Sequence, residues 1–227
     1  MYEAKKERQK TIAVFPIEKG KHYKKILFFL QNNMSSVSSG LIKGAKDNKL
    51  DLRIAHEDDI SREIHRLLND RLRDASSDYT FTFEAKSGPD ILIYASPYSA
   101  FSQELLVIEA KRLPPTSSQE YVKGDRGGIE RFKKKKHGEK HDVAVILGYV
   151  QKNSFNHWYT KVNSWIDDLI SDSTQNPRWE KQDRLVKIKI SDIAEYRSKH
   201  SRISRKPITL HHFWINLFTY QLSFDFL

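Results

Sequence analysis

A chain of 227 residues, 38% hydrophobic and 30% charged, is long enough to bury a two-sided core and has the wet surface of a globular protein. Its formal charge of +10 and pI near 9.5 favour a polyanionic partner. With no cysteine it has neither a disulfide framework nor a thiolate metal site, and no stretch approaches the roughly eighteen apolar residues of a membrane span.

The basic N-terminus MYEAKKERQK is expected to fray. No apolar signal-peptide region follows it. Together with the missing cysteines, this makes the cytoplasm the expected compartment. Thr11 to Phe15 reads as a short β-like run stopped by Pro16. Lys24 to Leu30 reads as a short helix with a buried apolar side, or as a strand. NNMSSVSSG at 32–40 and the lysine-rich stretch to Leu50 read as a linker. It would divide an accessory segment, 1–50, from a domain at 51–227 with a core at 58–150 and C-terminal additions at 151–227.

Asp58 and Asp59 can cap a helix whose face is Ile60, Ile64, Leu67, Leu68 and Leu72. Glu63 falls on the buried side of that face. A carboxylate there needs a metal or a partner such as Arg66 or Arg71. Tyr79 to Phe83 alternates like a strand. Two apolar runs follow, ILIY at 91–94 and LLVI at 105–108, around the turn-rich Ser96-Pro97-Tyr98-Ser99. They read as an antiparallel hairpin. Asp90 opens the first run and Glu109 closes the second. Glu109 and Lys111 share a face because strand side chains alternate, and Ala110 takes the other. Two carboxylates and an ammonium thus converge at one end of the hairpin. Carboxylate oxygens in that arrangement suit Mg²⁺ or Mn²⁺.

Ser117 and Glu120 have capping-box spacing. Gly124-Asp125-Arg126-Gly127-Gly128 reads as a basic loop leading into a helix, IERFKKKKHG, that ends at Gly138. Lys133, Lys134, Lys135 and Lys136, with Arg126 and Arg131, form either a phosphate-backbone contact or a solvated helix end. Gly127 and Gly128 either present amides to a phosphate or form a plain loop. His137 and His141 have i,i+4 spacing, but Gly138 interrupts the helix between them. They read as surface histidines. Val143 to Val150 reads as a central strand covered on both faces. Phe155 to Ile170 reads as a helix with Trp158, Val162, Trp165, Ile166 and Leu169 inward. Leu185 to Ile190 and Ile208 to Leu217 read as strands, either on the sheet edge or in a separate layer. Tyr196 to Arg205 is basic and polar.

Pro89-Asp90 followed by Glu109-Ala110-Lys111 resembles the PD-(D/E)xK nucleases, the restriction-endonuclease-like superfamily. The order helix, three strands, helix, strand over 58–150 is the core order that this resemblance implies: an α/β fold, a mixed sheet flanked by helices, with additions at both ends. The resemblance implies metal-assisted phosphodiester hydrolysis, most naturally of DNA, in the manner of restriction or other genome-defence enzymes. It implies that Asp90, Glu109 and the Ala110 carbonyl bind Mg²⁺ (or Mn²⁺), that Lys111 orients water, and that Glu63 is an outer ligand. A homodimer or a partner subunit is in keeping with it. The alternative reading is a non-catalytic nucleic-acid-binding subunit that keeps the fold.

Overall fold

The computed structural model describes residues 19–74, 79–83, 88–95, 103–114, 119–203 and 205–218. The expectations for 1–16, for the hairpin insert 96–99 and for Ser117 lie outside the described residues.

The described residues open with one long helix, α1 (Lys19–Asp47). The stretch 32–40, expected to be a linker, lies inside it. Ile26, Leu30, Met34, Val37, Leu41 and Ala45 recur at three- and four-residue intervals and are all buried. That periodicity outweighs the polar composition. The polar side chains bond one turn back instead of breaking the helix: Asn32 to the Phe28 carbonyl, Asn33 to that of Phe29, Ser39 to that of Ser35. Helix α1 packs on the same apolar cluster as the strands that follow, so residues 19–47 contribute to the core rather than standing apart.

Helix α2 (Glu57–Asp74) begins at Glu57, which puts Asp58 and Asp59 in its first turn, where carboxylates favour the helix dipole. Then come β1 (Tyr79–Phe83), β2 (Ile91–Ala95) and β3 (Glu104–Leu113), a short helix α3 (Gly128–Lys133), and β4 (Val143–Val150). Helix α4 (Phe155–Ser171) buries the five residues expected to point inward. Three further strands follow: β5 (Val186–Ile190), β6 (Ile193–Arg202) and β7 (Arg205–Asn216).

The seven strands among the described residues form one mixed sheet in the order β1-β2-β3-β4-β7-β6-β5. Strands β3, β4 and β7 are parallel to their neighbours among themselves, and the other pairs are antiparallel. The C-terminal strands therefore extend the sheet, with β7 beside β4. Alternation sends Leu106, Ile108, Val145 and Leu147 towards α1 and α2, and Val107, Ala144 and Ile146 towards α3 and α4. The result is a mixed α/β architecture with helices on both faces. No helix among the described residues is long and apolar enough to cross a membrane.

Candidate active site

The β2–β3 register pairs Ile91 with Ile108. Extended by one residue, it sets Asp90 across from Glu109. Asp90 Oδ2 accepts the Ala110 backbone N–H at 2.6 Å, which ties the first carboxylate to the strand that carries the second. Ala110 packs into the cluster under α1 and α2. Glu109 and Lys111 project from the opposite face of β3, as strand alternation requires.

Lys111 has room because residue 128, at the start of α3, is glycine: a Cβ there would lie 2.9 Å from Lys111 Cγ. The ammonium donates to the Ala110 carbonyl at 2.6 Å and to Glu57 Oε1 at 2.8 Å, and it lies 3.0 Å from Glu109 Oε1. Glu57 Oε2 also accepts the Arg112 N–H at 2.9 Å. Arg131 Nη1 approaches Glu109 Oε1 at 3.0 Å. These groups line an open cleft of about 690 Å³, and Arg62, Arg112 and Arg126 contribute to its walls.

Asp90 is half-buried and lies next to Glu109, so desolvation and the Glu109 charge push its carboxyl up to about 7 despite the opposing pull of Lys111 and the Ala110 N–H. Burial works on Glu109 in the same direction, but His137 and Lys111 outweigh it and hold that carboxyl below its ordinary range. Burial disfavours the Lys111 ammonium; Glu109, Glu57 and Asp90 more than offset this and keep it charged. The pair of acids is thus split, one readily protonated and one firmly ionised.

Several expected residues lie elsewhere. Glu63 does not line the cleft. It is ion-paired with Arg66 at 2.6 Å and borders a separate apolar groove beside α1, because it faces Gly44 of α1, while its neighbour Arg62 faces the cleft. Glu57, at the start of α2, is the helix acid that reaches Lys111. No periodicity marks it; only its closeness to the helix start, which faces the end of β3, distinguishes it.

The lysine run does not form a basic helix face. Lys133 is buried against Asp183, 2.8 Å away, so it is no phosphate contact. Helix α3 ends there, and Lys134, Lys135 and Lys136 lie on a turn near Glu130, Glu139 and Asp125 respectively. Arg126 and Arg131 do line the cleft. Gly127 and Gly128 allow close packing: a Cβ on Gly127 would meet the Lys123 backbone at 2.4 Å. His137 and His141 are both buried, contrary to the surface expectation. His141 pairs with Glu104, and His137 lies against Glu109.

A divalent cation in this cleft would meet hard oxygen donors from Asp90, Glu109 and the Ala110 carbonyl, and these oxygens already attract a cation, the Lys111 ammonium. The donor types fit Mg²⁺ or Mn²⁺. Among the described residues no three His, Cys, Asp or Glu side chains are arranged to hold a metal together, so a cation bound here would draw on the carbonyl and on water as well as the two carboxylates. Comparison with protein-family models, curated proteins and solved structures found no match for the chain.

Proposed function

We propose that the chain is a metal-dependent endonuclease that hydrolyses phosphodiester bonds, in DNA ahead of RNA, in the manner of a restriction or genome-defence enzyme. One observation carries this reading: Asp90, Glu109 and Lys111, from two different segments, line a single cleft with arginines on its walls. The cleft lining has six carboxylates against five cationic side chains. A phosphodiester therefore meets little net attraction there until a further positive charge is added. Asp90, Glu109 and the Ala110 carbonyl would hold Mg²⁺ or Mn²⁺, which would supply that charge, a Lewis acid and a water of lowered pKa. Lys111 holds the attacking water or offsets charge that develops on the phosphate oxygens. Glu57 fixes Lys111 through its 2.8 Å contact, and Arg126 offers charge to the flanking phosphate.

A second reading, a nucleic-acid-binding subunit without catalysis, is favoured by a specific contact. Lys111 already engages Glu109, Glu57 and the Ala110 carbonyl, among them oxygens that a metal would need. Cleavage of a supercoiled plasmid separates the two. The endonuclease reading expects nicking or linearisation with Mg²⁺, none with EDTA, and none from Asp90→Ala, which still binds nucleic acid. Mg²⁺-dependent cleavage by Asp90→Ala would sink the site assignment. Wild-type protein that binds DNA and RNA but cleaves neither, with Mg²⁺ or Mn²⁺, would favour the second reading.

A further inference from the structure

The four-lysine run builds a turn, and the turn delivers a histidine to the buried side of Glu109. After α3 the chain passes through Lys135 (φ 58°) and Gly138 (φ 60°), both in the left-handed region. The Lys136 and His137 amides return to the Arg131 carbonyl, at 2.8 and 3.4 Å. This reversal turns His137 inward. Its ring sits edge-on to Phe132, centroids 6.2 Å apart, and its Nδ1 lies 3.1 Å from Glu109 Oε2.

The two oxygens of Glu109 then have different surroundings. Oε1 is approached by Lys111 and Arg131. Oε2 is buried and makes no hydrogen bond of good geometry; the same is true of His137 Nδ1. Two buried polar atoms without other partners face each other at 3.1 Å. Buried polar groups rarely stay unsatisfied, so each is the natural partner of the other.

We propose that His137 is a positioning residue for Glu109: it anchors Oε2 so that Oε1 alone faces the cleft. The inference rests on the reading of this cleft as a divalent-cation site. Without the anchor the carboxylate can rotate and exchange its oxygens between Lys111 and Arg131. Loss of such an outer hydrogen bond typically weakens metal binding by about 10–100-fold.

Two measurements on the full chain test this. The first needs no metal. In nitrogen-edited NMR, the His137 Nδ1–H proton should appear strongly downfield and should move in Glu109→Gln. Its absence overturns the proposal. The second is Mn²⁺ affinity by electron paramagnetic resonance, without nucleic acid. His137→Ala should bind about 10–100-fold more weakly, and His137→Asn, whose amide nitrogen stands close to the Nδ1 position, should recover most of the loss. Equal affinities for wild type and a folded His137→Ala overturn the positioning role, as does a His137→Asn no better than His137→Ala. If the NMR proton is present and wild type binds no Mn²⁺, the cation-site reading fails while the His137 anchor on Glu109 stands.

Discussion

At Asp90 a carboxyl is held where burial and the Glu109 charge both oppose its ionisation. The consequence for stability has a definite sign. In the unfolded chain the group titrates near its ordinary value, about 3.9; in the folded protein it titrates at about 7. Between those values the folded state holds a proton that the unfolded state has released. The Asp90 contribution to stability is therefore fullest below about pH 4, is lost as pH rises towards 7, and is constant above that. Asp90→Asn removes it. In EDTA, melting temperatures recorded from pH 4 to 8 should show wild type falling relative to Asp90→Asn across this window. Parallel curves would mean that Asp90 is not perturbed in this way.

The elements outside the cleft are joined by a buried polar chain. Strand β6 points Ser198 and His200 into the core under α4, and β7 adds His212 and Trp214. Trp214 Nε1 can only donate, and it does so to the Tyr121 hydroxyl at 2.7 Å. Tyr121 then donates to His212 Nδ1 (2.8 Å), His212 Nε2 to Ser198 (2.7 Å), Ser198 to His200 Nε2 (2.6 Å), and His200 Nδ1 to Asp183. Each hydrogen follows from the one before, with both imidazoles neutral. Burial lowers the pKa of both. Lys133 closes the chain on Asp183 and lies over the Trp179 ring, 4.7 Å from its centroid. Removing one partner of such a buried pair leaves an uncompensated charge. Asp183→Ala should cost about 3–5 kcal/mol in urea unfolding, whereas Lys134→Ala and Lys136→Ala should stay within about 0.5 kcal/mol. A loss from Asp183→Ala as small as theirs would show that the Lys133 pair contributes little.

Over the whole molecule the charge of +10 is not concentrated in the cleft, whose lining is close to balanced. A polyanion would therefore be attracted by the wider surface, and only the arginines on the cleft walls would give that attraction local direction. If nucleic acid binds there, the logarithm of affinity should fall linearly with the logarithm of salt concentration, by about 0.9 per phosphate neutralised. Arg126→Ala should reduce that slope by about one. A salt-independent affinity would argue against phosphate contacts altogether.

Much of the frame was legible because it is written in local periodicity. The apolar runs at 91–94, 105–108 and 143–150, and the stripes of α2 and α4, declare their elements without reference to anything distant. So does the convergence of Asp90, Glu109 and Lys111, since an antiparallel hairpin and a two-residue strand period suffice to bring them together. Composition misled where it competed with periodicity, as in the Asn- and Ser-rich middle of α1. Strand β6 is hard to see because three of its inward residues, Ser198, His200 and Arg202, are polar, and only partners from other elements make their burial tolerable. The same holds for the cleft's other members. Glu57 in place of Glu63, Lys133 drawn inward to Asp183 and His137 turned towards Glu109 each depend on a group that the sequence sets far away. Alternation and helical period fix which residues share a face of one element. Which buried charge finds which partner is decided only when the elements pack, because desolvation makes pairing compulsory there.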